Sequence, residues 1–373
     1  MKIKSSKTTF SLLLALLFVN GISAQTETSP ENTRAIEFPD IPGYVTLKCD
    51  LHMHTVFSDG NVWPGIRVQE AIKDGLDVIS ITDHIEYQPH QKDIPHEERN
   101  RSYELAQEAA KGTTLLVIPG TEITRMMPPG HFNAIFVKDV NLLKQKDVME
   151  VFREAKKQGA FVFWNHPHWT SQRPDGVATL TEMHHALLKE GLFAGVEIYN
   201  DKTYSKEALE LAQEYNLTLL GNSDVHGLVD WSYGIPEGGH RPVTLVYAEE
   251  KSAEAMQKAM ENRQTAVWFK NTLVGNQDYL TPMIEKSLEV LHKGQGPVPT
   301  IQIHNHSDAD YILENLSDYS LHNFAPVFIL KAHETTSVKV KTLEKLESFE
   351  LKFKVLNAFT ELNEHPEINL PVE

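Results

Sequence analysis

Between Asp50 and Gly227 the chain carries five clusters of histidine and carboxylate residues. The first runs from Asp50-Leu-His52-Met-His54 to Asp59-Gly60, and the second is Thr82-Asp83-His84. The third is Pro119-Gly-Thr-Glu122, followed by Gly130-His131. The fourth is Asn165-His166-Pro167-His168, and the fifth is Asn222-Ser-Asp224-Val-His226. Imidazole nitrogen and carboxylate oxygen in one set suit zinc, manganese or iron better than calcium or magnesium alone. In an extended chain alternate residues face the same way, so His52 and His54 can grip one ion, and Asp224-x-His226 repeats the step. A single His-x-His says little. Five clusters that each follow a strand-like run say much more.

The elements that must position these clusters are short apolar runs of four to seven residues. They are Val45–Leu51, Asp77–Thr82, Thr114–Ile118, Ala160–Trp164, Gly195–Tyr199 and Leu217–Leu220. Their β-branched and aromatic content suits strands buried on both faces of a parallel sheet. Helix patterns separate them at Val68–Asp74, Glu97–Lys111, Asp147–Gln158, Leu180–Lys189 and Ser205–Tyr215. Such alternation implies βαβ units, and this many imply a barrel or a long doubly wound sheet. In a parallel barrel the strand C-termini share one rim, where barrel active sites are built, so residues far apart in sequence converge there.

A further strand-like run, Pro242–Tyr247, precedes a helix, Ser252–Glu261, and Thr265–Phe269. Beyond about Val274 the runs turn β-rich, at Pro299–His304, Ala325–Leu330, Thr336–Val340 and Phe349–Val355, with no long helix expected among them. The expected division is a leader at 1–24, a polar lead-in at 25–43, an α/β barrel at 44–277 and a small antiparallel β-sandwich at 278–373.

Taken together, Asp50-Leu-His-x-His-Thr-x-x-Ser-Asp-Gly60, Ile81-Thr-Asp-His84, Pro119-Gly-Thr-Glu122, His166-Pro167 and Asn222-Ser-Asp-x-His226 resemble the motifs of the PHP family, the polymerase and histidinol phosphatase domains. The likeness covers roughly residues 45–270, and its secreted phosphodiesterase branch is the nearest in character. It implies a distorted (β/α)7 barrel with two or three divalent ions, manganese, zinc or iron. Carried over by position, His52, His54, Glu122 and Asp224 hold the first ion. Glu122 bridges to a second with His131 and His166, and Asp59, His84 and His226 take a third. Many relatives have a histidine near the place where this chain has Asp59. The implied activity is phosphate-ester hydrolysis, most of all of diesters, by a metal-bridging hydroxide, since paired cations lower the pKa of a shared water. Glu122, Asp224 and His226 are the catalytic candidates, with Asp83 as a hydrogen-bond partner of the ligands or a proton carrier. A phosphomonoesterase, an amidohydrolase-like enzyme acting on amides or lactones, and a non-catalytic metal-binding module are the alternatives.

The N-terminus has the three parts of a secretory signal: Lys2, Lys4 and Lys7, an apolar run Phe10–Val19, and Ile22-Ser-Ala24 before Gln25. The apolar run is shorter than the roughly 20 residues that span a bilayer, so an exported chain cleaved after Ala24, with no membrane span, is expected. The formal charge is −16. That balance argues against nucleic acid or an anionic membrane as partner, but not against a small phosphate ester, because bound cations reverse the sign locally. The sequence assigns no oligomeric state. The single cysteine, Cys49, forms no internal disulfide and reads as a small buried residue.

Other candidates have plainer readings. His168 reads as a loop residue and His184 and His185 as helix-surface residues, while His304, His306, His322 and His333 fall in the β region. Arg125, Arg173 and Arg241 have the guanidinium fork that suits phosphate, against an ordinary role in surface ion pairs. Glu197 and Asn200 either support the ligands or pack. Trp164, Trp169 and Trp231 either line a pocket or fill the core.

Overall fold

The computed structural model describes residues 34–294, 296–322 and 324–373. The expected leader and the first part of the lead-in lie outside them. In chain order the first half holds β1 (Val45–Asp50), α1 (Pro64–Lys73), β2 (Val78–Ile81), α2 (Arg101–Ala109), β3 (Leu116–Thr124), β4 (His131–Ile135), α3 (Val148–Gln158), β5 (Phe161–Trp164) and α4 (Glu182–Lys189). There follow β6 (Gly195–Asn200), β7 (Thr203–Tyr204), α5 (Lys206–Tyr215), β8 (Thr218–Asn222), α6 (Val229–Tyr233), β9 (Val243–Ala248), α7 (Ala253–Glu261), β10 (Thr265–Phe269), β11 (Thr272–Gly275) and α8 (Gln277–Lys286).

Every residue of β2, β5, β6, β9 and β10 is buried, as expected for strands covered on both faces. The helices start where their caps dictate. Asp147, Ser205 and Ser252 each accept a hydrogen bond from a backbone N–H of the first turn of α3, α5 and α7.

The strands form one curled sheet in the order β11-β10-β9-β1-β2-β3-β4-β5-β6, with β8 paired to β6 and β7 at the edge. The α/β barrel-like sheet and the all-β C-terminal part are as expected, but the sheet is not parallel throughout. β4 runs antiparallel to both β3 and β5, and β9 runs antiparallel to β1 and β10. The third strand also extends past Ile118 to Thr124, so Glu122 lies within it rather than after it. Hydroxyl groups help to close the curl. Thr244 Oγ1 sits 2.9 Å from both the N–H and the carbonyl of Gly221, and Thr265 Oγ1 donates to the Leu219 carbonyl at 2.9 Å. A Cβ on Gly221 would stand 2.2 Å from Val267, so only glycine allows β8 this close to β10.

A long helix after Val274 was not expected, yet α8 follows β11 directly. Its N-cap Asn276 accepts from Asp278 N–H, and Leu280, Met283 and Ile284 form its buried face. The all-β part then holds β12 (Leu288–Lys293), β13 (Thr300–Asn305), β14 (Tyr311–Asn315), β15 (Ser320–His322), β16 (Val327–Leu330), β17 (Thr335–Lys341), β18 (Phe349–Val355), β19 (Ala358–Phe359) and β20 (Glu367–Val372). Two four-stranded antiparallel sheets form, β12-β13-β17-β15 and β16-β14-β18-β20, with alternate residues buried. β19 leaves them and pairs in parallel with β11, extending the barrel's sheet. Asn357 secures that junction by donating to the carbonyls of Asn271 and Asp310.

Candidate metal centre

The rim is stitched together by backbone hydrogen bonds. Thr82 N–H donates to Met53 O (2.9 Å), His54 N–H to Val225 O (3.0 Å), Asp224 N–H to His52 O (2.8 Å) and Ile85 N–H to Glu122 O (3.0 Å). Four of the five clusters are therefore fixed to one another before any side chain is considered. The remaining one, Asn165–His168, joins through Asn165 N–H, which donates to His131 O at 3.0 Å. Because β4 is antiparallel, its first residue, His131, lies at the same rim as the end of β3, opposite Thr124. The Ser58-Asp59-Gly60 turn folds back over β1's exit, with Gly60 N–H on Thr55 O (2.9 Å) and Asn61 N–H on His226 O (2.8 Å). A Cβ on Gly60 would stand 2.6 Å from the His54 carbonyl carbon, so this turn needs a glycine.

The side chains converge in three adjoining compartments. In the first, His52 Nε2 and His54 Nε2 are 3.1 Å apart. Each lies 3.3 Å from Glu122 Oε2, and they lie 3.2 Å and 3.0 Å from Asp224 Oδ1. Ligands at ~2.0–2.2 Å from a tetrahedral zinc are spaced by roughly 3.3–3.5 Å, so these contacts have the scale of a coordination polyhedron. In the second, Glu122 Oε1 faces His131 Nδ1 at 2.5 Å and His166 Nε2 at 3.9 Å, and Asp224 Oδ2 is 4.0 Å from His166 Nε2. In the third, Asp59 Oδ1 lies 3.3 Å from both His84 Nε2 and His226 Nε2 and 3.7 Å from His54 Nδ1. Two residues border more than one compartment in a way the spacing did not indicate. His54 also faces Asp59, and His84 Nδ1 is 3.1 Å from Glu122 Oε2.

Partners behind the rings set their tautomers. His52 Nδ1 lies 2.8 Å from Glu197 Oε1, and His226 Nδ1 donates to the Asp224 carbonyl at 2.7 Å. Each ring thereby turns an Nε2 lone pair toward the cluster. Glu197 is wholly buried and also accepts from Asn222 Nδ2, His166 N–H and Asn200 Nδ2, at 2.8–2.9 Å. Of its two readings, support of the ligands is the one the geometry favours. Asp83, by contrast, is not brought into the cluster. Its carboxylate accepts from Thr55 N–H, Thr55 Oγ1 and Ser58 Oγ at 2.6–2.7 Å, so it braces the loop that carries Asp59. His166 and Asp224 hold left-handed backbone, at φ 26° and 50°. Non-glycine residues in such regions cost of order 1–3 kcal/mol and gather at functional sites.

Burial alone would raise the carboxyls of Glu122 and Asp224. The facing His84 and His131, and His52 and His54, instead hold them below the usual carboxylate range. Asp59 is lowered by His226 and His84 against the same burial. The cluster thus keeps three carboxylates ionised. His166 is pushed down to about 3, mainly by burial, so its imidazole is neutral, the form that ligates. Burial opposes but does not prevent a raised pKa at His84, to about 9, caused chiefly by Glu122 and Asp59.

Glu122 Oε1 and His131 Nδ1 test whether cations fit. Both are buried and 2.5 Å apart, yet neither makes a hydrogen bond. A shared cation would satisfy both this buried oxygen and this buried nitrogen.

A cavity of about 640 Å³ opens over the cluster. Its lining includes the apolar side chains of Tyr87, Met126 and Trp169 and the polar ones of Ser171, Gln172, Asn200, Asp201 and Thr203. The arginines weighed from sequence do not line it. Arg241 is fully buried and bridges Asp50 and Asp74, Arg125 pairs with Glu86, and Arg173 donates to the Thr179 carbonyl. His184 also departs from expectation. It is buried against Trp164, because its Nδ1 accepts from Thr181 N–H at the start of α4. Of the tryptophans, Trp164 is core, Trp231 is exposed, and Trp169 lines the cavity. Tyr87 and Met126 went unmarked in the sequence, since isolated apolar loop residues carry no spacing signal.

The PHP domain family matches residues 50–266, and an Ig-like domain family (DUF5001) matches residues 287–371. Among solved structures, the chain is similar to a two-domain protein from Bacteroides vulgatus containing a predicted PHP-like metal-dependent phosphoesterase. The two are 42% identical with a TM-score of 0.83, over 90% of this chain and 98% of that one. A putative metal-dependent phosphoesterase from Bifidobacterium adolescentis is 19% identical, with a TM-score of 0.39 over 52% of this chain and 90% of that one. PsfC from Pseudomonas syringae is 18% identical, with a TM-score of 0.43 over 60% and 92%. No curated protein matches.

Proposed function

The chain belongs to the PHP family, and on that premise we propose that this metal-dependent phosphoesterase cleaves phosphodiesters, with two or three manganese, zinc or iron ions held by the cluster. The observation that carries the reading is the convergence of buried imidazole and carboxylate lone pairs around Glu122, whose two oxygens face different compartments. His52, His54, Glu122 and Asp224 would hold one ion, Glu122, His131 and His166 a second, and Asp59, His84 and His226 a third. When bound, such cations lower the pKa of water and neutralise phosphoryl charge.

The chain's own residues do the rest. Glu197 and Asn222 fix the ring of His52, and Glu197 also fixes the backbone of His166. Asp83 braces the turn that presents Asp59. His226, with about a third of its side chain exposed, stands at the cavity mouth, where an incoming ester meets the cluster. Tyr87, Met126 and Trp169 give the cavity an apolar surface for the organic part of the ester. Among the described residues no lysine or arginine lines the cavity. A diester carries one negative charge and a monoester up to two, so this lining favours the diester.

Export is proposed from the basic start, the apolar run and the small residues before Gln25. Among the described residues no helix is long and apolar enough to cross a membrane. N-terminal sequencing of protein recovered outside the cytoplasm should begin at Gln25. For the chemistry, the metal-loaded protein should hydrolyse bis(4-nitrophenyl) phosphate faster than 4-nitrophenyl phosphate and stop on chelation. No turnover of either ester with metal bound would refute the reading.

A further inference from the structure

The cavity over the cluster is lined by an indole as well as by polar groups. Trp169 stands beside the second compartment, its ring centroid 5.5 Å from that of His131 and 5.2 Å from that of His166. It is tied to the rim by its own backbone. Its N–H donates to the His166 carbonyl at 2.9 Å, and its carbonyl accepts from Gln172 and Arg173 N–H at 3.0 and 2.8 Å. The indole is therefore placed relative to the candidate ligand His166 rather than left to wander. Yet it is 43% exposed and lines the cavity, while a tryptophan with no contact to make is more often covered. Met126, 79% exposed, also lines the cavity. Of the other lining groups, Ser171, Gln172, Asn200 and Thr203 are neutral and polar, Asp201 is acidic, and no lysine or arginine joins them.

We propose that Trp169 is the platform on which the organic group of the ester stacks, and that the substrate carries a flat, uncharged group beside its phosphoryl centre. The inference rests on the phosphoester reading above. An indole face fixed one ring away from His131 and His166 meets whatever is bonded to a phosphoryl group held there, and a flat π-surface gains most from that contact. A second anionic group on the same arm would meet Asp201 and no counter-charge.

The test uses binding to the metal-loaded full chain, measured by calorimetry, with methylphosphonate, phenylphosphonate and 4-carboxyphenylphosphonate as non-hydrolysable probes. Phenylphosphonate should bind about tenfold more tightly than methylphosphonate, the scale of one stacked ring. The carboxyphenyl probe should bind more weakly than the phenyl one. In Trp169→Ala the phenyl-to-methyl ratio should fall to about one, and in Trp169→Phe most of it should return. The ratio is the readout because a merely structural loss at the cluster weakens both probes in step. Equal affinity of the phenyl and methyl probes for the unaltered protein, or a ratio unmoved by Trp169→Ala, would overturn the inference alone. Tighter binding of the carboxyphenyl probe would overturn the uncharged part. Failure of every phosphonate to bind would overturn this inference, and, together with no turnover of bis(4-nitrophenyl) phosphate, the phosphoester reading as well.

Discussion

Glu197 Oε1 lies 2.8 Å from His52 Nδ1, with neither side chain exposed. The carboxylate belongs to β6 and the imidazole follows β1, so this contact spans the barrel's interior. Partners of this kind behind a ligating histidine are worth 10- to 100-fold in metal affinity or activity. Glu197→Gln keeps the shape but turns an amide NH2 toward some of the four donors that now point at the carboxylate. A metal titration against a competing chelator should show an affinity loss of about 10- to 100-fold. An unchanged affinity would assign Glu197 to packing.

Arg67 clamps the two loops that carry the first compartment. Its guanidinium donates to the carbonyls of His54 (3.0 Å), Val225 (2.9 Å) and Gly227 (2.7 Å) and pairs with Glu70 at 2.8 Å. Glu70 in turn accepts from Val229 N–H at 2.8 Å. Arg67→Met leaves the His54 and Gly227 carbonyls without this donor and the Glu70 carboxylate without its counter-charge, at ~1–3 kcal/mol for each buried unsatisfied group. Denaturant unfolding should therefore show a loss of about 3 kcal/mol or more. A loss under about 1 kcal/mol would mean that water replaces the clamp.

Metal removal should destabilise the fold as well as stop turnover, since a ligand that binds only the folded state adds RT ln(1 + [L]/Kd), about 4 kcal/mol at a thousandfold excess over Kd. A chelator should lower the melting temperature by several degrees. Manganese or zinc should restore it better than calcium, because the site is rich in imidazole. A melting temperature indifferent to chelator, in protein shown to lose metal, would contradict the assignment.

His184 gives the protein an acid weakness away from the cluster. Burial pushes it down from 6.5 to about 4, and its Nδ1 lone pair is committed to the Thr181 N–H. The folded state resists a proton that the unfolded chain takes up near pH 6.5. Stability is therefore full above that pH and falls as pH drops toward 4, by up to about 3 kcal/mol from this residue. Unfolding free energies at pH 7 and pH 4.5 should differ less in His184→Phe than in the unaltered chain. An equal slope would place the weakness elsewhere.

The candidate ligands were legible before folding because most sit at a short chemical signal, a carboxylate or imidazole just after an apolar run. The helices were legible for similar local reasons, as the caps of Asp147, Ser205 and Ser252 illustrate. The helix α8 was less so. It lies where the sequence turns β-rich and contains Pro282, so its pattern is easily passed over.

The sequence by itself determined which atoms are available to hold cations and that most of them follow strands, since both depend on residues a few positions apart. Only the tertiary structure decided that β4 reverses to bring His131 to the rim and that Glu122 divides its oxygens between compartments. It also decided that Arg241 is buried between Asp50 and Asp74 while Trp169 faces the cavity. Those outcomes depend on pairings across tens to hundreds of residues. A strand's direction, or the burial of an arginine, follows from what it packs against, which neighbours in sequence do not record.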